Sequence, residues 1–97
     1  MPRPIDVWLA APVRHVRDLR SALLLKLVFA DRGAVDPLEM LQRQQEILAD
    51  RESALEVRLV QADGSNRLLV EFRLEATRAG ARFVRRQVAE RESGKHR

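Results

Sequence analysis

The residues that interrupt a regular backbone are few here, and their placement fixes the kind of fold available. Prolines stand at 2, 4, 12 and 37, and glycines at 33, 64, 80 and 94. They leave three long stretches, 13–32, 37–63 and 65–93, broken internally only by Gly80. Each is too long for an ordinary strand. All are rich in Leu, Ala, Arg, Glu and Gln, which favour helix. The expected architecture is all-α: an antiparallel arrangement of three long helices over about 13–32, 37–63 and 65–93. Residues 1–12 read as a lead-in and 94–97 as a disordered tail.

The second stretch has the clearest start. Asp36 suits the N-cap, Pro37 the first helical position, and Glu39 follows three residues after Asp36, a capping-box arrangement. Positions 38, 41, 45, 48, 52, 55, 59 and 62 then form a seam with steps of three and four. It reads Leu, Leu, Gln, Leu, Glu, Leu, Leu, Ala. That is a heptad pattern with polar interruptions at Gln45 and Glu52. Gly64 suits a left-handed residue after the helix, and Ser65 or Asn66 can cap the next one.

The third stretch carries two apolar stripes. One runs Leu69, Phe72, Ala76, Gly80, Phe83, and the other Val70, Leu74, Thr77, Ala81, Val84, Val88. A helix on the outside of a monomer needs only one. The first stretch ends in ALLLKLVFA, residues 22–30, apolar nearly all round. Val16, Leu19, Leu23, Leu27 and Ala30 keep helical spacing through it. Lys26 can lay its stem along this surface and keep its ammonium wet. A thin bundle of 97 residues hides little surface. The economical solution is an intertwined helical homodimer sharing one core. Leu23, Leu27, Leu69, Phe72, Ala76, Gly80 and Phe83 are its candidate interface.

Chemistry is poorly represented. There is no cysteine, and the two histidines, His15 and His96, lie too far apart in sequence for a paired-ligand motif. No metal, cofactor or enzymatic activity is expected. The serines sit in no nucleophile elbow, and the glycines are too far apart for a phosphate loop. Glu52/Glu56 and Glu71/Glu75 fall at helical i, i+4 spacing, but arginines lie beside both pairs. The net charge of +4 comes from 18 basic against 14 acidic residues, interspersed as on a solvated helix face. Arg78, Arg82, Arg85, Arg86, Arg91, Lys95 and Arg97 are the candidates for direct nucleic-acid contact, but with Phe83 alone among them the aromatic-plus-basic interleaving of single-strand binders is missing. No apolar run reaches membrane-spanning length, and the expectation is a cytoplasmic chain without a signal peptide. Trp8 is the one side chain with ligand character; tryptophans also commonly plug a core edge.

Several segments together resemble a known family. They are VWLAAPVRHVRDLRSALLLKLVFADRG, DPLEMLQRQQEILADRESALEVRL and RLLVEFRLEATRAGARFV, spanning roughly residues 7–88. The most specific pieces are the lead-in from Trp8 to Ser21, the LLLKL run, and the Leu41, Gln44, Leu48 pattern. In this order they resemble the C-terminal domain of PadR-like transcriptional regulators. The resemblance implies dimerisation through these helices, which spaces two winged helix-turn-helix domains on DNA. It also implies a small hydrophobic or aromatic effector bound near the interface or domain junction, with Trp8 a possible contact. The winged-helix half has no counterpart in these residues, so DNA contact is expected only through a domain absent from this chain. The alternative is a stand-alone helical protein–protein interaction module without a DNA role.

Overall fold

The computed structural model describes residues 3–13, 19–33 and 35–94. These form four α-helices, and no strand occurs among them. They are α1 (Pro4–Ala10), α2 (Leu24–Arg32), α3 (Leu38–Gln61) and α4 (Gly64–Gly94), with a π-helical turn, Leu19–Leu23, leading into α2. The long helices α3 and α4 pack against each other as an antiparallel hairpin, with α1 and α2 against one end of it. The molecule measures 48 × 30 × 19 Å.

The expected three-helix plan needs one correction. The supposed lead-in contains a helix, α1. Pro4 stands in its first turn, where a missing N–H leaves nothing unsatisfied. Asp6 pairs with Arg3 at 3.2 Å. Residues 14–18, the start of the first long stretch, and 95–97, most of the expected tail, lie outside the described residues.

The start of α3 differs by one residue from the expected capping box: Pro37, not Asp36, is the N-cap, Leu38 is the first helical residue, and no side chain caps the helix through Pro37. The Leu38 N–H donates to Asp36 Oδ1 at 3.0 Å, and the Leu41 N–H donates to the Pro37 carbonyl at 2.9 Å. Every seam position from 38 to 62 is buried or half-buried, including the polar Gln45 and Glu52. The expected left-handed glycine is present: Gly64 has φ +56°. The expected cap at Ser65 or Asn66 is not, because α4 begins earlier, at Gly64. Asp63 supplies the opening carbonyl, accepting from the Arg67 N–H at 3.1 Å. The turn is tight enough for the Arg67 guanidinium to reach back to the last turn of α3, donating to the Leu59 carbonyl.

Of the two stripes on α4, one is spent inside the hairpin. Val70, Leu74, Thr77, Ala81, Val84 and Val88 are its buried residues. They divide between two apolar clusters. The larger joins Leu41, Leu48, Ala81, Val84 and Val88 to Leu23 and Leu27 from the α2 side. The smaller, near the hairpin turn, holds Leu55, Val70 and Leu74. Thr77 lies between them, its hydroxyl donating to the Arg73 carbonyl at 2.7 Å.

Candidate dimer interface

The residues expected at an interface separate into two groups. Leu23 and Leu27 are buried in this chain's own core. Leu69 and Phe72 stand in solvent, Phe72 at 75% of its full exposure. Ala76, Gly80 and Phe83 are half-buried, and Phe83 packs against the larger cluster. Helical spacing keeps positions 69, 72, 76, 80 and 83 on one side of α4. That side is therefore covered at Phe83 and open toward Leu69.

Other apolar side chains are exposed that the sequence did not single out for this role. Leu24, Leu25 and Val28 lie on the outer side of α2, each nearly half exposed. Val57, Val60 and Leu68 are exposed near the hairpin turn, Val60 at 85%. Only the α2 residues had a sequence signal, the absence of a polar side on ALLLKLVFA. Scattered apolar exposure is ordinary, whereas this concentration on two helix faces is the kind that marks an interaction surface.

Beneath α2, the expected role of Lys26 is overturned. Its ammonium is not in water; the residue is 4% exposed. It donates to the carbonyls of Trp8 and, at 2.7 Å, Ala11, and lies 4.6 Å from the centre of the Trp8 ring. The reason is the unforeseen α1, whose C-terminal carbonyls offer the acceptors and negative dipole end that a lysine needs. Arg43 donates to the next carbonyl, Ala10. Gln44, fully buried, holds Val13 on both sides: Val13 N–H donates to Oε1 and Nε2 donates to the Val13 carbonyl at 2.8 Å. The three polar side chains Lys26, Arg43 and Gln44 thus fasten the Trp8–Val13 backbone to the hairpin and to α2.

Trp8 is half-buried and meets Phe29 edge to face, with ring centroids 6.0 Å apart. Its visible contacts are structural. Two open clefts lie elsewhere. One of about 400 Å³ is lined by Asp36, Gln87, Glu90, Arg91 and Gly94. One of about 240 Å³ lies at the hairpin turn among Arg58, Gln61, Ala62, Asn66 and Val70.

Burial pushes the Lys26 ammonium below the ordinary lysine range. Between that lowered value and the unfolded one, the unfolded chain binds more protons, so stability rises with pH across this window. Lys26→Met removes that increment. It also takes the lysine donor from the Ala11 carbonyl, at a cost of about 1–3 kcal/mol, while the Trp8 carbonyl keeps the Ala11 N–H at 3.3 Å. Trp8 is the only tryptophan and the chain has no tyrosine, so its emission reports on the clamp directly. A shift to longer wavelength and a lower urea midpoint are expected; unchanged emission would show that the lysine does not hold α1.

Three carboxylates of the two pairs, Glu52, Glu56 and Glu71, meet arginines. Arg78 reaches from α4 to Glu52 at 3.3 Å and to Glu56 at 3.2 Å on α3. Glu71 pairs with Arg67 at 3.0 Å. These pairs are open to solvent and contribute register more than stability. No group of three or more metal-ligating side chains occurs among the described residues. No helix among them is long and apolar enough to cross a membrane.

Comparison with models of known protein families, with curated proteins and with solved structures finds no match.

Proposed function

We propose that this chain is a helical homodimerisation module, the dimer-forming and effector-sensing part of a PadR-like transcriptional regulator. The observation that carries the dimer is the α4 side running from Phe83 to Leu69, packed at one end and bare at the other. The resemblance over residues 7–88 supplies the regulatory part of the reading. In that role the module sets the spacing of two DNA-reading domains and takes no part in base recognition. A small aromatic effector would act where α1 meets α2, beside Trp8 and Phe29, by favouring or opposing the clamped position of α1.

A second reading is an interaction module whose open face takes a foreign helix. The exposed Val57, Val60 and Leu68, which add bare apolar side chains to those of Leu69 and Phe72, favour it. Sedimentation equilibrium over a wide concentration range separates the two. The proposal expects a dimer from the chain alone. A monomer at high concentration would remove homodimerisation and put the foreign-partner reading first.

A further inference from the structure

The outer side of α4 carries a charge pattern that the fold does not use. Arg82 has an arginine at i−4 (Arg78), at i+3 (Arg85) and at i+4 (Arg86). Like charges at these spacings destabilise a helix. Arg78 is relieved, because it pairs with Glu52 and Glu56 across the hairpin. Arg82, Arg85 and Arg86 are exposed and take part in none of the ion pairs among the described residues. Glu90, one turn beyond Arg86, makes no pair with it and lines the cleft of Asp36 and Arg91. The residues at i−3 from Arg82 and i+3 from Arg86 are Ala79 and Ala89, both small and exposed.

The geometry restricts what such a cluster fits. Arg82 to Arg86 spans ~6 Å of helix axis, and the consecutive Arg85 and Arg86 stand ~100° apart around it, with Arg82 between them. The three guanidinium groups form a convex fan, which matches anions held on a concave wall better than the flat surface of a bilayer. No large apolar side chain among them is free to enter a bilayer or to stack on the bases of a single strand, since Phe83 packs on the core. The planar arginine fork suits phosphate oxygens. The major groove of B-form DNA admits a helix between its two lines of phosphates, whereas that of duplex RNA is too deep and narrow. We propose that Arg82, Arg85 and Arg86 are a docking site for the phosphate backbone of duplex DNA, without regard to base sequence. This adds a contact to a module that otherwise only spaces DNA-reading domains, and it does not depend on homodimerisation.

The test uses the intact chain and a short fluorescent duplex of mixed sequence, read by anisotropy. Two variants with the same net charge are compared. One combines Arg82→Gln, Arg85→Gln and Arg86→Gln; the other combines Arg32→Gln, Arg58→Gln and Arg73→Gln, which removes exposed arginines elsewhere. Contacts to three phosphates weaken about 40-fold between 50 and 200 mM salt. The first variant should therefore bind more weakly at low salt, with a plot of log affinity against log salt shallower by about 2.7. The second should keep the parent's slope. With like-charge repulsion relieved, the first variant should also unfold no earlier than the parent on heating. Equal losses in the two variants would reduce the effect to net charge and overturn the site. So would absence of binding by the parent at low salt, tighter binding to a single strand than to the duplex, or binding to vesicles of anionic phospholipid in place of DNA. A first variant that unfolds at lower temperature would show that these arginines serve the fold, and overturns the site as well. None of these readings turns on whether the parent is a monomer or a dimer.

Discussion

Phe72→Glu is expected to turn the dimer into a monomer without weakening the single chain. In the isolated chain Phe72 stands mostly in solvent, so its replacement should change monomer stability by no more than about 0.5 kcal/mol, as surface substitutions do. In the dimer the same site loses the burial of an aromatic side chain, worth about 1.5–3 kcal/mol. It also forces a carboxylate to be desolvated without a partner. A two-fold assembly carries the change twice, so dissociation should strengthen on the order of ten-thousand-fold, which is about 6 kcal/mol. Sedimentation velocity reads the first half of this expectation and thermal unfolding at high dilution the second. A variant that still dimerises at the parent's affinity would take Phe72 out of the interface. A variant that unfolds would mean the residue serves its own chain in a way the packing does not show.

Gln44→Leu has the largest expected effect on the fold itself. The substitution keeps an apolar volume in a fully buried place but leaves the Val13 N–H and carbonyl without partners. Each orphaned group costs about 1–3 kcal/mol, a large fraction of the ~5–15 kcal/mol that holds a domain together. The loss should be local before it is global. Trp8 emission should report release of α1 at a lower urea concentration than the helical circular dichroism of α3 and α4. Coincident transitions at the parent's midpoint would show that Gln44 is not what fastens this segment.

Much of the fold was legible because it is periodic and local. The seam from Leu38 to Ala62 announced the packed side of α3. Asp36–Pro37 announced its start to within one residue, Pro37 being the N-cap and not the first helical residue, and Gly64 the left-handed turn after it. Both stripes of α4 were visible, but sequence could not say which one α3 would take, since both have helical spacing and similar side chains. Thr77, the least apolar member, went inside because its hydroxyl finds the Arg73 carbonyl one turn back. The clamp was not legible. Lys26 and Trp8 are 18 positions apart, Lys26 and Ala11 15, Gln44 and Val13 31. No local pattern connects a side chain to a backbone carbonyl at such separations. A lysine in an apolar helix is ordinarily read as reaching for water, and that reading failed because α1, too short to stand out between Pro4 and Pro12, brought its carbonyls within reach. The interface candidates could not be sorted from sequence for a related reason. Leu23 and Leu27 are apolar on the same helix as Leu24, Leu25 and Val28, and only the packing of α2 shows which side its own hairpin consumes.

The clamp can also be understood as molecular recognition. Pro4–Val13 lies on the rest of the molecule much as a short peptide lies in a receptor. It is read through its main chain by two cations and an amide, and its Leu9 and Val13 side chains are buried. Because the peptide is covalently joined to its receptor, it is presented at an effective concentration far above that of a free ligand. Occupancy of the groove is then governed by competition: an added peptide of this sequence should have little effect on the parent chain, but should rebind to a chain shortened to begin after Val13. Any load applied at Pro4 would be transmitted to α2 and α3 through these polar bonds and through the buried Leu9 and Val13, giving the groove the properties of a latch.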